Sequence, residues 1–188
     1  ICRLKRVAAD QRDDVTPLLP KVPQLKNGKR IACVGAGCAS LTVANDLLPL
    51  GYEITMFEQW GQAGGLMRTN IPSFRLPAQV LNEEIAMIVD RGVDLQLGAR
   101  IESMQKLLSD GGFDAVFAGP GAPKGKELNL PGRKEGTANI HVGIDWLESL
   151  AFGHVDSIGK RVLIIGVGNT AMDCCRSSLR LGAADVKV

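Results

Sequence analysis

Aromatic residues make up only 4% of this 188-residue sequence, and histidine occurs twice. So few aromatics argue against a β-sandwich built on aromatic packing. His141 and His154 stand alone, without metal-ligand spacing. No apolar run reaches membrane-spanning length, and no signal-peptide pattern is read within these residues. Charge of one sign is also scarce: 22 basic against 20 acidic residues leave a formal charge of +2. That balance gives no footing for nucleic acid or an anionic membrane surface. The five cysteines, Cys2, Cys33, Cys38, Cys174 and Cys175, form no C-x-x-C pair. This excludes a zinc ribbon and a thioredoxin-type redox centre, weighs against a disulfide-reducing flavoenzyme, and fits a reducing cytoplasm.

Glycine, by contrast, is plentiful, with 22 residues, and its placement is informative. Residues 1–14 read as a short amphipathic helix with Leu4, Val7 and Ala8 on one side. Pro17, Pro20 and Pro23 then stiffen a linker that ends near residue 25. From residue 29 the pattern is strand (29–34), glycine turn, helix (39–50) and strand (53–57), a βαβ unit. A helix over 77–91 with Gly92 as its cap, a strand over 93–97, a helix over 101–108 and a strand over 113–118 follow. A polar, glycine- and lysine-rich loop occupies 122–139, and a helix 142–150. Strand 160–165, helix 169–181 with Gly182 as cap, and strand 185–188 repeat the opening theme. The fold class is therefore α/β. A Rossmann-like unit spans 26–158, and a second begins at 159 and is cut at 188. The first residue, Ile1, is not a methionine, so the sequence is expected to be part of a longer chain.

Three motifs carry the chemistry. The first is Gly35-Ala36-Gly37-Cys38-Ala39-Ser40 between strand and helix, with Glu58 closing the second strand. In a dinucleotide turn the first glycine permits the tight bend and the second lets a pyrophosphate approach the backbone. An acidic residue roughly 20 positions later accepts hydrogen bonds from a ribose, and Glu58 stands there. Ser40 occupies the third-glycine slot, a small residue that still allows close helix–strand packing. The second motif is Gly64-Gly65-Leu66-Met67-Arg68 followed by Phe74-Arg75-Leu76. The Gly-Gly pair alone reads as a loop. Arg75, set between apolar neighbours, calls for an anionic partner such as a phosphate or the N1–C2=O edge of a flavin. The third motif is Gly166-Val167-Gly168-Asn169-Thr170-Ala171, with Ala171 in the third slot, able to take a second pyrophosphate. Cys38, Cys174 and Cys175 read as packing residues, and Lys124-Gly125-Lys126 as a solvated loop. No Ser-His-Asp set or paired carboxylates stand out.

Together, VGAGCASL, GGLMRTNIPSFRLP, FDAVFAGPGA and VLIIGVGNTAMDCCRSSLRLGA resemble the glutamate synthase small-subunit family. That family includes the flavin and nucleotide segment of dihydropyrimidine dehydrogenase. The opening ICRLKRVAAD resembles the connector that follows its N-terminal iron–sulfur domain. The resemblance implies an NAD(P)H-dependent FAD oxidoreductase in which hydride passes to FAD and electrons then pass to iron–sulfur clusters. Those clusters would lie outside this stretch, in an iron–sulfur domain or subunit, with a larger catalytic subunit as partner. By the family pattern, FAD contacts fall on Gly35, Gly37, Ala39, Ser40, Glu58, Leu66, Arg75 and Ile101. The nucleotide turn falls on Val167, Gly168, Asn169 and Thr170. The basic pair that reads NADPH and the closing FAD segment would follow residue 188, so the stretch alone is expected to be inactive. Three departures stand out: Cys38 in place of proline, Ser40 in place of glycine, and Ala118-Gly119-Pro120-Gly121 in place of Ala-Thr-Gly-Ala. They bear on FAD affinity rather than on fold. They also motivate an alternative, a dinucleotide-binding assembly module without turnover.

Overall fold

The computed structural model describes residues 2–188; Ile1, part of the expected N-terminal helix, lies outside the described residues. Helix α1 (Cys2–Asp10) is followed, past the prolines, by β1 (Arg30–Val34), α2 (Cys38–Leu47) and β2 (Glu53–Glu58). Next come α3 (Leu66–Thr69), α4 (Ala78–Val89), β3 (Val93–Leu97), α5 (Met104–Asp110) and β4 (Ala115–Ala118). The chain finishes with α6 (Gly143–Ala151), β5 (Arg161–Leu163), α7 (Asn169–Arg180) and β6 (Asp185–Lys187). None of the described helices is long and apolar enough to cross a membrane.

The first four strands form one parallel sheet in the order β3-β2-β1-β4. β1 is central and buried on both faces, which is why its sequence, RIACV, is an unbroken apolar run after the arginine. Ile31, Ala32 and Cys33 are all buried there, with Ile54 and Met56 of β2 beside them. Leu41, Ala44 and Leu48 from the α2 side, and Leu81 and Ile85 from α4, complete the core. Each fully buried large side chain such as Leu48 or Met56 contributes about 1.5–3 kcal/mol. β5 and β6 form a separate two-stranded parallel sheet. Its core is small: Trp146, Leu147 and Cys174 join α6 to α7.

Several boundaries differ from the sequence reading, each for a local reason. The helix expected over 39–50 breaks at Leu47, and Leu48–Leu50 continues as a 3-10 turn, because Pro49 has no N–H to continue the α-helical ladder. Gly51 then takes φ +85 to leave the turn. The helix expected from Ile101 starts only at Met104, where the Ser103 side chain accepts the Lys106 N–H at 3.2 Å. The Gly64-Gly65 segment, read as loop, opens into the four-residue α3. β5 is three residues long rather than six. The apolar side expected of the first helix is open, with Leu4 74% exposed. The proline linker is tied down by Val22, which packs against the core, and by polar contacts: Arg91 donates to Pro20 O at 2.8 Å, and Arg12 meets Glu84 at 2.5 Å. Exposed pairs of this kind add little stability.

Candidate dinucleotide site

In the order β3-β2-β1-β4 the chain reverses direction across the sheet between β1 and β4, and ligands of open parallel sheets bind at such a switch point, beyond the carboxyl ends of the strands. Gly35 leaves β1 there with φ +93, and its N–H donates to Phe57 O at 2.7 Å. A Cβ on Gly35 would collide with Gly119 O, just past β4. Ala36 is fully buried; it donates its N–H to Glu58 Oε2 at 2.8 Å and accepts Gly64 N–H at 2.9 Å. Gly37 precedes α2 with extended backbone, φ −83 and ψ −179, and no side chain caps the helix. The first-turn N–H groups of Cys38, Ala39 and Ser40 therefore face outward without a side-chain acceptor, as an anion requires. Ala39 is exposed and Ser40 fully buried, its Oγ without a hydrogen-bond partner among the described residues.

The second motif closes over the first. Gly65, at φ +52, carries no Cβ where one would stand 2.9 Å from Gly37 Cα. In this cradle the two glycines let the backbones of the two loops touch with no side chain between them, which sets the second loop directly against the first turn. Arg68 braces the loop, with Nε donating to Ala63 O at 2.5 Å and Nη2 to Asn82 Oδ1 at 2.6 Å; burial pulls its pKa below the ordinary arginine value. Leu66 begins α3 and is partly exposed, while Ile101 is half-buried between β3 and α5. Glu58, 5% exposed, spends both oxygens on backbone: Oε2 on Ala36 and Oε1 on the Trp60 N–H at 3.0 Å. Each carboxylate oxygen keeps a further lone pair for a ribose hydroxyl.

The third motif repeats the first in outline: a first glycine at positive φ, +137 at Gly166 against +93 at Gly35, and a second glycine of matching conformation. Gly168 has φ −82 and ψ 179, against −83 and −179 at Gly37. α7 is likewise uncapped by any side chain. A Cβ on Gly166 would meet the Ala171 methyl at 3.5 Å, ordinary contact, so alanine suits the third slot. Val167 is 90% exposed, and Asn169 and Thr170 are exposed beside it.

The sequence places an anion beside Arg75, and the structure supplies one from the chain itself. Arg75 Nη1 lies 2.5 Å from Asp173 Oδ2 of α7. Asp173 carried no signal in the sequence, because the pair joins elements far apart in the chain. Gly119 was equally silent as a site residue, although its place after an apolar strand in a Gly-Pro-Gly run marks a turn. Cys33, Cys38, Cys174 and Cys175 are all free thiols.

A parallel sheet in this order, with a glycine turn, an acid at the end of β2 and a repeated second turn, defines a Rossmann-like dinucleotide-binding protein. The chain belongs to the pyridine nucleotide-disulphide oxidoreductase family, whose model matches residues 29–188. It is 39% identical over 164 residues to the NADP(+)-dependent formate dehydrogenase subunit beta of Moorella thermoacetica, across 85% of this chain and 23% of that protein. It is 37% identical over 188 residues to the NADPH-Fe(3+) oxidoreductase subunit beta of Geobacter sulfurreducens, across 97% and 28%. The glutamate synthase [NADPH] small chain of Bacillus subtilis is 30% identical over 200 residues, across 99% and 40%. The chain thus spans less than half the length of these curated relatives. Among solved structures, FprA of Mycobacterium tuberculosis in complex with NADPH superposes with a TM-score of 0.68 at 22% identity, over 79% of this chain and 36% of that one, a likeness of fold.

Proposed function

We propose that the chain is the FAD-binding portion, with the opening of the NADP-binding portion, of a flavoprotein oxidoreductase of the glutamate synthase small-subunit type. The observation that carries this reading is the repetition of one backbone turn, at Gly35–Gly37 and again at Gly166–Gly168, each before an uncapped helix. Residues 26–158 form the FAD unit and residues 159–188 begin the nucleotide unit.

The residues suit the group. Gly35, Ala36 and Gly37, with the α2 N–H groups of Ala39 and Ser40, hold the pyrophosphate against Gly65, where no Cβ intrudes. Glu58 holds the ribose and at the same time fixes the Ala36 and Trp60 N–H groups. Leu66, Arg75 and Ile101 line the way toward the flavin. Gly166, Val167, Gly168, Asn169 and Thr170 receive the nicotinamide cofactor, and the relatives whose names specify NADPH favour NADP over NAD. The chemistry supplied by bound FAD is acceptance of a hydride from NADPH and release of electrons singly to iron–sulfur clusters. The chain's own share is orientation and electrostatics, since hydride transfer between cofactors needs no protein acid or base.

The relatives' names also describe subunits, which supports a larger partner. As part of the same proposal, this partner carries the iron–sulfur clusters and the assembly works in the cytoplasm. The test is a visible spectrum of the chain mixed with FAD and then desalted. Retained flavin bands are expected; a colourless protein overturns the assignment to residues 26–158 of an FAD site that holds without the segment expected after residue 188.

A further inference from the structure

Helix α7 serves both units. Its N-terminus closes the second glycine turn, and Asp173, on the following turn of helix, reaches the segment that follows α3 in the first unit. Asp173 is 3% exposed, and among the described residues its Oδ1 has no hydrogen-bond partner. A buried carboxylate is costly to keep, and packing alone would be served better by a neutral residue. Two neighbouring contacts fix the same segment: the Arg180 guanidinium lies 3.7 Å over the Phe74 ring, and Asn70 Nδ2 donates to Ile144 O at 2.7 Å.

Arginine carries five donors in a rigid planar fork. Among the described residues, the Arg75 guanidinium makes one side-chain hydrogen bond, through Nη1 to Asp173, and the side chain remains 37% exposed. Its backbone is also held, Arg75 O accepting from Arg6 at 3.0 Å and Arg75 N–H bonding to Pro72 O at 2.8 Å. The result is a cation fixed at its backbone and at one corner, with its other donors open.

We propose that Asp173 is a positioning residue for Arg75. Its carboxylate holds one corner of the guanidinium and offsets part of its charge, so that the open donors meet an anionic or carbonyl group of the cofactor in the first glycine turn. This rests on the reading that FAD occupies that turn. The electrostatic setting of the first cofactor is then fixed by a residue of the helix that binds the second.

Asp173→Asn removes the charge and keeps the shape. In the FAD-loaded chain this variant is expected to shift the flavin midpoint potential upward, because the full arginine charge then favours the reduced, anionic flavin. Arg75→Gln is expected to shift it downward, and Asp173→Ser takes the place of D173N if the latter does not fold. An unchanged potential in the folded variant, even with weaker flavin binding, overturns the proposal. In the flavin-free chain, nitrogen-15 NMR of the arginine side chains supplies a second arm. A slowly rotating Arg75 guanidinium that D173N sets free supports the anchor, and a signal indifferent to D173N overturns it. If the unaltered chain retains no flavin, the functional reading fails by itself, and the NMR arm still decides the anchor.

Discussion

Ser40 and Gly119 share one space: a Cβ on Gly119 would stand 2.5 Å from the buried Ser40 Oγ. The two positions that the resemblance marks as departures, serine in α2 and glycine after β4, are therefore in contact: the volume a Cβ at 119 would need is exchanged for that of the Ser40 hydroxyl.

Gly119→Ala is expected to destabilise the chain by about 1–3 kcal/mol through overpacking. In a Ser40→Gly background the same change should cost distinctly less, with a coupling of about 0.5–3 kcal/mol between the sites. Urea denaturation of the four proteins measures it, and additive effects would refute the exchange.

Glu58 joins two loops through its two oxygens. Glu58→Ala leaves the Ala36 and Trp60 N–H groups without their acceptor, a loss of about 1.5–3 kcal/mol for each charge-assisted bond. Flavin retention on desalting should fall in the order native, Glu58→Gln, Glu58→Ala, and melting temperature should follow the same order. Equal retention in all three would remove Glu58 from the site.

Gly65 and Gly92 both have positive φ, but only Gly65 faces another backbone; a Cβ on Gly92 meets nothing within 4 Å. Alanine at either position is expected to cost about 1–2 kcal/mol from left-handed backbone strain. Only Gly65→Ala should also abolish flavin retention, because its methyl group closes the cradle against Gly37. Equal retention in the two variants would argue against that cradle.

Burial pushes the Cys33 thiol up to about 11, and burial with the Asp173 carboxylate beside it does the same for Cys174. Cys2 aside, Cys38 should be alkylated first in the native chain, and Cys33 and Cys174 only after urea is added. Both thiols ionise near 9.0 when unfolded, so their contribution to stability is complete below pH 9 and is lost between 9 and about 11. The slope is about 1.4 kcal/mol per pH unit for each thiol. Denaturant midpoints across that range should show the fall, and Cys33→Ala should lessen it.

The sheet was legible because its strands carry their own signals: RIACV and EITMFE are short apolar or alternating runs that end where the glycine turn and Glu58 begin. The two turns were legible for the same reason, since their geometry is a property of a few consecutive residues. What stayed hidden depends on residues far apart in sequence. Asp173 meets Arg75 only because α7 packs beside the 72–76 segment, and Gly119 meets Ser40 only because β4 pairs with β1. The late start of α5 turned on one capping hydroxyl, that of Ser103, inside a stretch whose apolar residues suggested an earlier start.

The central place of β1 has a consequence for how the chain is made. Its second neighbour, β4, pairs Ala115 with Ile31, so a ribosome emitting the chain from its N-terminus leaves one edge of β1 bare from Val34 until Ala115 has emerged. Parallel pairings between distant segments form slowly, and an unpaired apolar edge invites other chains. Until Gly119 has emerged, the Gly35 turn lacks the backbone that closes it. The nascent chain therefore passes through an interval in which the strand meant to organise a cofactor site is its most adhesive part, and a chaperone that covers β1 would act there.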